Sequence, residues 1–263
     1  MKEKKMFIHR INPVAFSIGP FQVRWYGIIF VFGFFLAYLF LLNAVKTNRI
    51  KNLKREYLAE LILYLLIGVL LGSRAMQVLY YEPRYYFAHP LEIFAIWHGG
   101  LSFHGGLLGA VLMGWIFCKK RKISFYQLAD VLAVSASLAL FFGRIGNFIN
   151  AELYGKISNV PWCVRFPTAS GCRHPSQLYE AGKNLFNFFI LSFILKRKFT
   201  KQLRNGIVFW HFILLYGVLR FSIEFFRYWN YYFLGLSKGQ WLCLGMIAVA
   251  IPVLVRWKIR KEK

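Results

Sequence analysis

Seven stretches of near-continuous apolar sequence leave this chain few ways to fold. They run over residues 22–43, 58–80, 91–118, 124–142, 180–196, 205–226 and 239–257. About twenty apolar residues in a helix cross the roughly 30 Å of hydrocarbon in a bilayer. A helix satisfies its own backbone hydrogen bonds in lipid, and the runs lack the alternation of a lipid-facing barrel strand. At 58% hydrophobic residues the chain exceeds the about 45–50% usual for soluble domains. The expectation is an all-α polytopic membrane protein with about seven transmembrane helices, folded over residues 1–263 as a single integral membrane domain. The basic N-terminus, MKEKKMFIHRINPVAF, lacks an apolar stretch followed by a small-residue cleavage site, so no removable signal peptide is expected.

The net charge of +24 would suggest nucleic acid in a soluble protein. Here the bases cluster between apolar runs, which excludes a nucleic-acid face and reads as topological signal plus attraction to anionic lipid. Residues 46–55 carry five Lys or Arg, 119–122 four, 196–204 five, and the tail from 256 five. The alternate connections, 81–90 and 227–238, carry few. The positive-inside rule then places the N-terminus outside and the C-terminus inside. Lys2, Lys4, Lys5 and Arg10 oppose this and are outvoted by the four basic segments. Residues 143–179 become the largest outer segment.

That segment opens with Gly143–Gly155, GRIGNFINAELYG, which puts Arg144, Asn147, Asn150 and Glu152 where an apolar run ends. A guanidinium, two amides and a carboxylate at a bilayer's lip suit an anionic head group. In the sixth run, Tyr216, Arg220, Glu224 and Arg227 fall on one helical stripe. A charge at mid-span costs roughly 2.5–3.5 kcal/mol on insertion scales. Arg227 can avoid that by reaching the interface, and Arg220 and Glu224 by pairing. The stripe is either a structural ion pair or a face that turns a guanidinium toward a lipid phosphate. His104, in LSFHGGLLG, is either a hydrogen-bonded core histidine or a base near neutrality with room made by its glycines. His98 opens the same His-Gly-Gly-Leu echo six residues earlier and is the weaker candidate. Two Gly pairs weaken a helix, and a broken helix at membrane depth is tolerated where it lines a cavity.

Tyr26 opens the first run as an interface aromatic, and Asp130 reads as structural. The motif 174–180, HPSQLYE, reads as a helix entrance on the outer side, in which Gln177 and Glu180 cap or staple the first turn and which can also wall the site. Cys118 and Cys243 lie in apolar runs as packing residues, and the pairing of Cys163 with Cys172, which share a polar loop, stays open. No metal-ligand spacing, phosphate-binding GxxxxGK[ST], GxSxG elbow or HExxH occurs. With only ten acids in the chain, arginine is the better phosphate ligand than clustered metal-bound carboxylates.

Four ordered motifs resemble the prolipoprotein diacylglyceryl transferase family: LSFHGG (101–106), GRIGNFINAELYG (143–155), HPSQLYE (174–180) and YGVLRFSIEFFR (216–227). Ser17-Ile-Gly-Pro20 and Trp25-Tyr-Gly27 also fit. The chain departs from the family at Trp97-His-Gly-Gly100, at Tyr228-Trp-Asn230 and in the short segment between Gly155 and His174, all in outer loops. The resemblance implies transfer of the diacylglyceryl unit of phosphatidylglycerol to the lipobox cysteine thiol of a preprolipoprotein, with glycerol phosphate leaving. It implies no metal and no cofactor, and a place in the bacterial cytoplasmic (inner) membrane. Arg144 and Arg220 are then expected on the phosphate, oriented by Glu152 and Glu224, with Asn147, Asn150 and Gly155 at the head group. His104 becomes the expected base for the thiol, aided by Tyr26 or Tyr216. The rival is a multi-span lipid or small-anion transporter, which calls for an internal repeat longer than the Gly-Gly echo and polar residues reaching both faces.

Overall fold

The computed structural model describes residues 7–19, 21–96, 99–228 and 232–259, so Lys2, Lys4, Lys5 and His98 lie outside the described residues. The chain is mostly helical: α1 (Trp25–Lys46), α2 (Leu58–Met76), α3 (Pro83–Ala88), α4 (Phe103–Arg121), α5 (Phe125–Ile149), α6 (Ser176–Lys201), α7 (Ile207–Glu224) and α8 (Lys238–Ile259). Among the described residues, five helical segments are long and apolar enough to cross a membrane: Trp25–Lys46, Arg55–Tyr81, Phe125–Ile149, Ile207–Glu224 and Lys238–Trp257. α4 and α6 are as long but more polar, α4 through its basic last turn and α6 through an inward stripe of charges and amides.

Two of the apolar runs differ from the helices they become. Among its described residues the run from residue 91 is α-helical only from Phe103, with a short 3-10 turn over Pro90–Ile93 before it. Before it the chain turns at Pro90 and then passes through Gly99 and Gly100 at φ +86° and +68°, a left-handed backbone that glycine adopts without a Cβ clash. The run ending at 142 continues as helix to Ile149, so the motif that opens at Gly143 starts on the last turns of α5, not in a loop. Short strands, absent from the sequence expectation, form two small sheets. β2 (Val14–Ile18) and β3 (Phe21–Arg24) make a hairpin, and β4 (Val164–Arg165) lies between β1 (Phe7–Ile8), parallel to it, and β5 (Cys172–Arg173), antiparallel.

The chain divides into two compact units, residues 41–131 and residues 1–40 with 132–263. In the first, α2 and α4 approach backbone to backbone. Gly68 and Gly72 face Gly105 and Gly109, and a Cβ on any of the four would run into the partner helix's backbone. Lipid offers no hydrophobic drive between helices, so close packing of small residues takes its place. Arg74, at the end of α2, is buried and gathers the irregular chain before α4. It donates to the carbonyls of Ile93 (2.8 Å), Gly99 (2.8 Å), Gly100 (3.1 Å), Ala95 (3.3 Å) and Glu92, and to the Tyr86 hydroxyl (3.1 Å). Ser102 then starts α4 by accepting from the Gly105 N–H at 3.3 Å, while its own N–H donates to the Ser73 carbonyl.

In the second unit, α7 packs between α6 and α8. The three-stranded sheet is extended on its β5 side by residues 155–158. Gly155 N–H donates to His174 O, His174 N–H to Lys156 O, and Ser158 N–H to Cys172 O, while Lys156 N–H reaches across to Phe226 O. A disulfide joins Cys163 to Cys172, and Phe166, Val164 and Ala151 fill the small core beneath.

Gly109→Leu forces a branched side chain into the α2–α4 backbone contact. It is expected to destabilise the protein by at least about 1–3 kcal/mol, read as a lowered unfolding midpoint in detergent, whereas Gly114→Ala, whose Cβ would meet nothing nearer than 3.6 Å, leaves the midpoint near wild type.

Candidate functional site

The second unit holds a cluster of buried charges whose centre is Glu180. This residue is five positions into α6 and 0% exposed. The N-cap is Pro175, which makes no side-chain cap bond, and neither Gln177 nor Glu180 closes the first turn. The turn is pinned instead by Ser176, whose hydroxyl donates to Leu153 O at 2.8 Å, and by Gln177, whose amide donates to Glu152 O at 2.5 Å. That anchoring turns Gln177, Glu180, Lys183, Asn184 and Asn187 inward as one buried stripe, spaced three and four apart.

Glu180 takes cations from four directions. On Oε2 it accepts from Lys183 Nζ at 2.8 Å, with Arg144 Nε at 3.9 Å. On Oε1 it faces Arg220 at 3.1 Å and Arg227 at 3.9 Å. The sequence left Arg227 able to reach the interface. It is 6% exposed, because the chain leaving α7 pairs with Gly155 and holds Arg227 against the cluster. Glu224 is the second carboxylate. Its Oε2 pairs with Arg220 and lies 3.6 Å from Arg227 Nε, and its Oε1 accepts from Ser237 Oγ at 2.8 Å. Four cations against two carboxylates leave a surplus of two positive charges in this ion-paired group. The α6 stripe adds polar atoms that make no hydrogen bond: Gln177 Oε1, Asn184 Oδ1 and both amide atoms of Asn187. A surplus of positive charge beside unsatisfied buried acceptors and donors suits a ligand that carries both negative charge and hydroxyl groups.

α5 supplies the other side. Arg144 sits on its last turns, and the ring of Tyr26 packs so closely on Gly146 that a Cβ there would lie 2.8 Å from Tyr26 Cδ2. Asn147 donates to Glu152 Oε1 at 2.7 Å. Glu152 is exposed and tied to Asn147, and the carboxylate that the arginines share is Glu180. Asn150 Oδ1 is buried and makes no hydrogen bond. Gly155 is enclosed by backbone, and a Cβ would collide with Phe226 O and lie 2.9 Å from His174 Cβ. Its lack of a side chain lets residues 226–227 and His174 come together. Tyr216 is buried, with Lys183 Nζ 3.8 Å from its ring centre. His174 stacks edge-on with Phe226 and meets the Tyr179 hydroxyl at 3.0 Å, and burial pushes its imidazole below the ordinary histidine value.

The structure thus brings Arg144, Arg220 and Glu224 into one cluster, with Tyr26 packed on the same turn of α5 as Arg144 and Tyr216 beneath Lys183. His104 belongs to the other unit, buried on the first turn of α4 with Phe103 beside it. Sequence reasoning missed Glu180 as the hub and Lys183 altogether. The available signal was the spacing Gln177, Glu180, Lys183, Asn184 and Asn187, a polar stripe along an otherwise apolar run.

The family model for prolipoprotein diacylglyceryl transferase matches residues 13–256. The chain is 43% identical over 257 residues to a phosphatidylglycerol–prolipoprotein diacylglyceryl transferase of Geobacter sulfurreducens, covering 95% of this chain and 97% of that relative. It is 42% identical to proteins of the same name from Aromatoleum aromaticum, over 95% and 97% of the two chains, and from Nitrosomonas europaea, over 98% and 94%.

Two outcomes follow from the geometry. Glu180→Gln leaves its four cations facing one another around a neutral amide, and is expected to lose about 3–5 kcal/mol of stability, read from thermal or denaturant unfolding in detergent. His174 has a lowered folded value, so the unfolded chain binds the proton more readily. Its contribution is complete above about pH 6.5 and is lost as pH falls through the folded value. The fall in unfolding midpoint between pH 7.5 and pH 5 is expected to be smaller in His174→Asn than in the wild type.

Proposed function

This chain belongs to the prolipoprotein diacylglyceryl transferase family, and from that premise and the buried cationic cluster we infer how it works. It is a transferase that moves the diacylglyceryl group of phosphatidylglycerol to prolipoproteins. We propose that the acceptor is the lipobox cysteine thiol. Sulfur attacks the glyceryl carbon next to the phosphate, a C–S bond forms as the C–O bond breaks, and the electron pair leaves with glycerol phosphate. The single observation that carries this assignment is the surplus of two positive charges around Glu180. A phosphate leaving group gains charge in the transition state, and preorganised cations placed there stabilise it more than the bound substrate.

Arg144 and Arg220 are the proposed phosphate ligands, from α5 and α7. They face opposite oxygens of one carboxylate, at 3.9 Å and 3.1 Å, which supports a shared task. Glu224 orients Arg220, and Glu152 acts through Asn147. Asn147 and Asn150 are assigned to the head group, whose hydroxyls suit the buried acceptors, and Gly155 acts by holding the backbone around it. Tyr26 and Tyr216 wall the arginines. A thiol of ordinary value near 8.5 needs a base at neutral pH, and His104 is proposed for that role on its chemistry alone. The whole chain acts as one catalytic membrane protein in the bacterial inner membrane, with seven spans once α4 and α6 are counted, the N-terminus outside and the C-terminus inside. Alternation of basic connections supports that orientation. So does the Cys163–Cys172 disulfide in the segment read as outer, since such bonds persist in oxidising compartments.

Reconstitution with labelled phosphatidylglycerol and a lipobox peptide tests the reading by lipid transfer to the cysteine. Arg144→Ala and Arg220→Ala are each expected to lower kcat by about 100- to 1,000-fold, with His104→Gln also strongly reduced at neutral pH. Wild-type turnover in either arginine variant would end the phosphate assignment. Full turnover in His104→Gln would end that of the base.

A further inference from the structure

We propose that Lys183 is a charge-setting residue, which cancels Glu180 so that the arginines carry the charge of the phosphate monoester that leaves and not that of the phosphodiester that enters. The proposal rests on the functional reading above and adds a residue to it. Lys183 is buried, as are Arg220 and Arg227, while Arg144 is only partly so, and three features fix the lysine's place. It follows Glu180 by three positions on α6, so both project to one side. Its Nζ donates to Glu180 Oε2 at 2.8 Å, the shorter of that oxygen's two cation distances. The same Nζ stands 3.8 Å over the ring of Tyr216, itself buried, an arrangement that favours a cation at that point.

The consequence is a matter of counting charges at low dielectric. With Lys183, the cluster of Arg144, Arg220, Arg227, Glu180 and Glu224 carries a surplus of two positive charges; without it, a surplus of one. Phosphatidylglycerol presents a phosphodiester with one negative charge. In the transfer the thiol proton departs and the C–O electron pair goes to phosphate oxygen, so glycerol phosphate leaves with close to two, its second ionisation lying near pH 6. A surplus of one matches the substrate. A surplus of two matches the product and the transition state on the way to it, which is the condition for raising kcat instead of merely tightening binding. Lys183 reaches the phosphate only through Glu180 and the arginines, so it is a positioning residue and not a catalytic one.

The test compares wild type, Lys183→Met and Lys183→Met/Glu180→Gln in the lipid-transfer assay and in calorimetric binding of glycerol phosphate. Lys183→Met is expected to lower kcat on the order of tenfold while KM for phosphatidylglycerol moves less than about threefold. Glycerol phosphate binding is expected to weaken on the order of tenfold at pH 7.5. The double variant restores the surplus of two with neutral side chains at both 180 and 183; its glycerol phosphate affinity is expected within about threefold of wild type. Lys183→Met with unchanged kcat and unchanged glycerol phosphate affinity would overturn the proposal, as would a variant that melts earlier with both constants intact. So would a double variant that loses the anion despite its restored charge. A wild type that moves no lipid to the thiol would defeat the functional reading instead, and the binding measurement would still decide the charge assignment.

Discussion

A carboxylate with no exposure, facing one lysine and three arginines, is the constraint on which the unit of residues 1–40 and 132–263 depends. Burying like charges together is unfavourable, and the desolvation of each ion adds several kcal/mol. Glu180 makes the arrangement tolerable because each of its oxygens faces two of the cations. Glu224 completes it by accepting from Ser237 on one oxygen and engaging two arginines with the other. What remains within this ion-paired group of described residues is a positive surplus, next to buried amides with unused hydrogen-bonding capacity. An anion that also carries hydroxyl groups is the chemistry that relieves both.

The short strands hold this cluster in place from outside the helices. Residues 155–158 lie between the backbone of 172–174 and that of 226–227, and only a glycine at 155 lets the two come so near. Arg227 is thereby kept inward, where an unsupported chain end would let it reach solvent. The disulfide closes the hairpin that carries Cys172 and leads directly into His174 and the start of α6. A sheet of a few residues, too small to be stable alone, thus fixes the first turn of the helix that presents Glu180 and Lys183.

In residues 41–131 a different solution appears. There the helices meet through bare backbone at four glycines, and Arg74 organises the irregular chain by donating to carbonyls that a membrane would leave unsatisfied. A guanidinium with five donors in a fixed fork suits that task better than any other side chain. His104 follows from it: the backbone gathered by Arg74 ends at Ser102, whose hydroxyl starts the helix on which His104 sits.

Much of this was legible without coordinates. Apolar runs of membrane-crossing length determined that the chain would be helical, and the motifs around Arg144 and Arg220 marked the residues that converge. Both follow from local chemistry: hydrophobicity over twenty residues, and charges too costly to bury without a purpose. The strands, the late start of α4 and the identity of the central carboxylate were decided only by tertiary structure. Glu180 reads as a helix-start residue from its neighbours, and Arg227 as one free to leave the membrane. Which way each points depends on Gly155 meeting Phe226 and on Ser176 and Gln177 bonding to the 152–153 backbone, contacts between residues over twenty positions apart that no local pattern encodes.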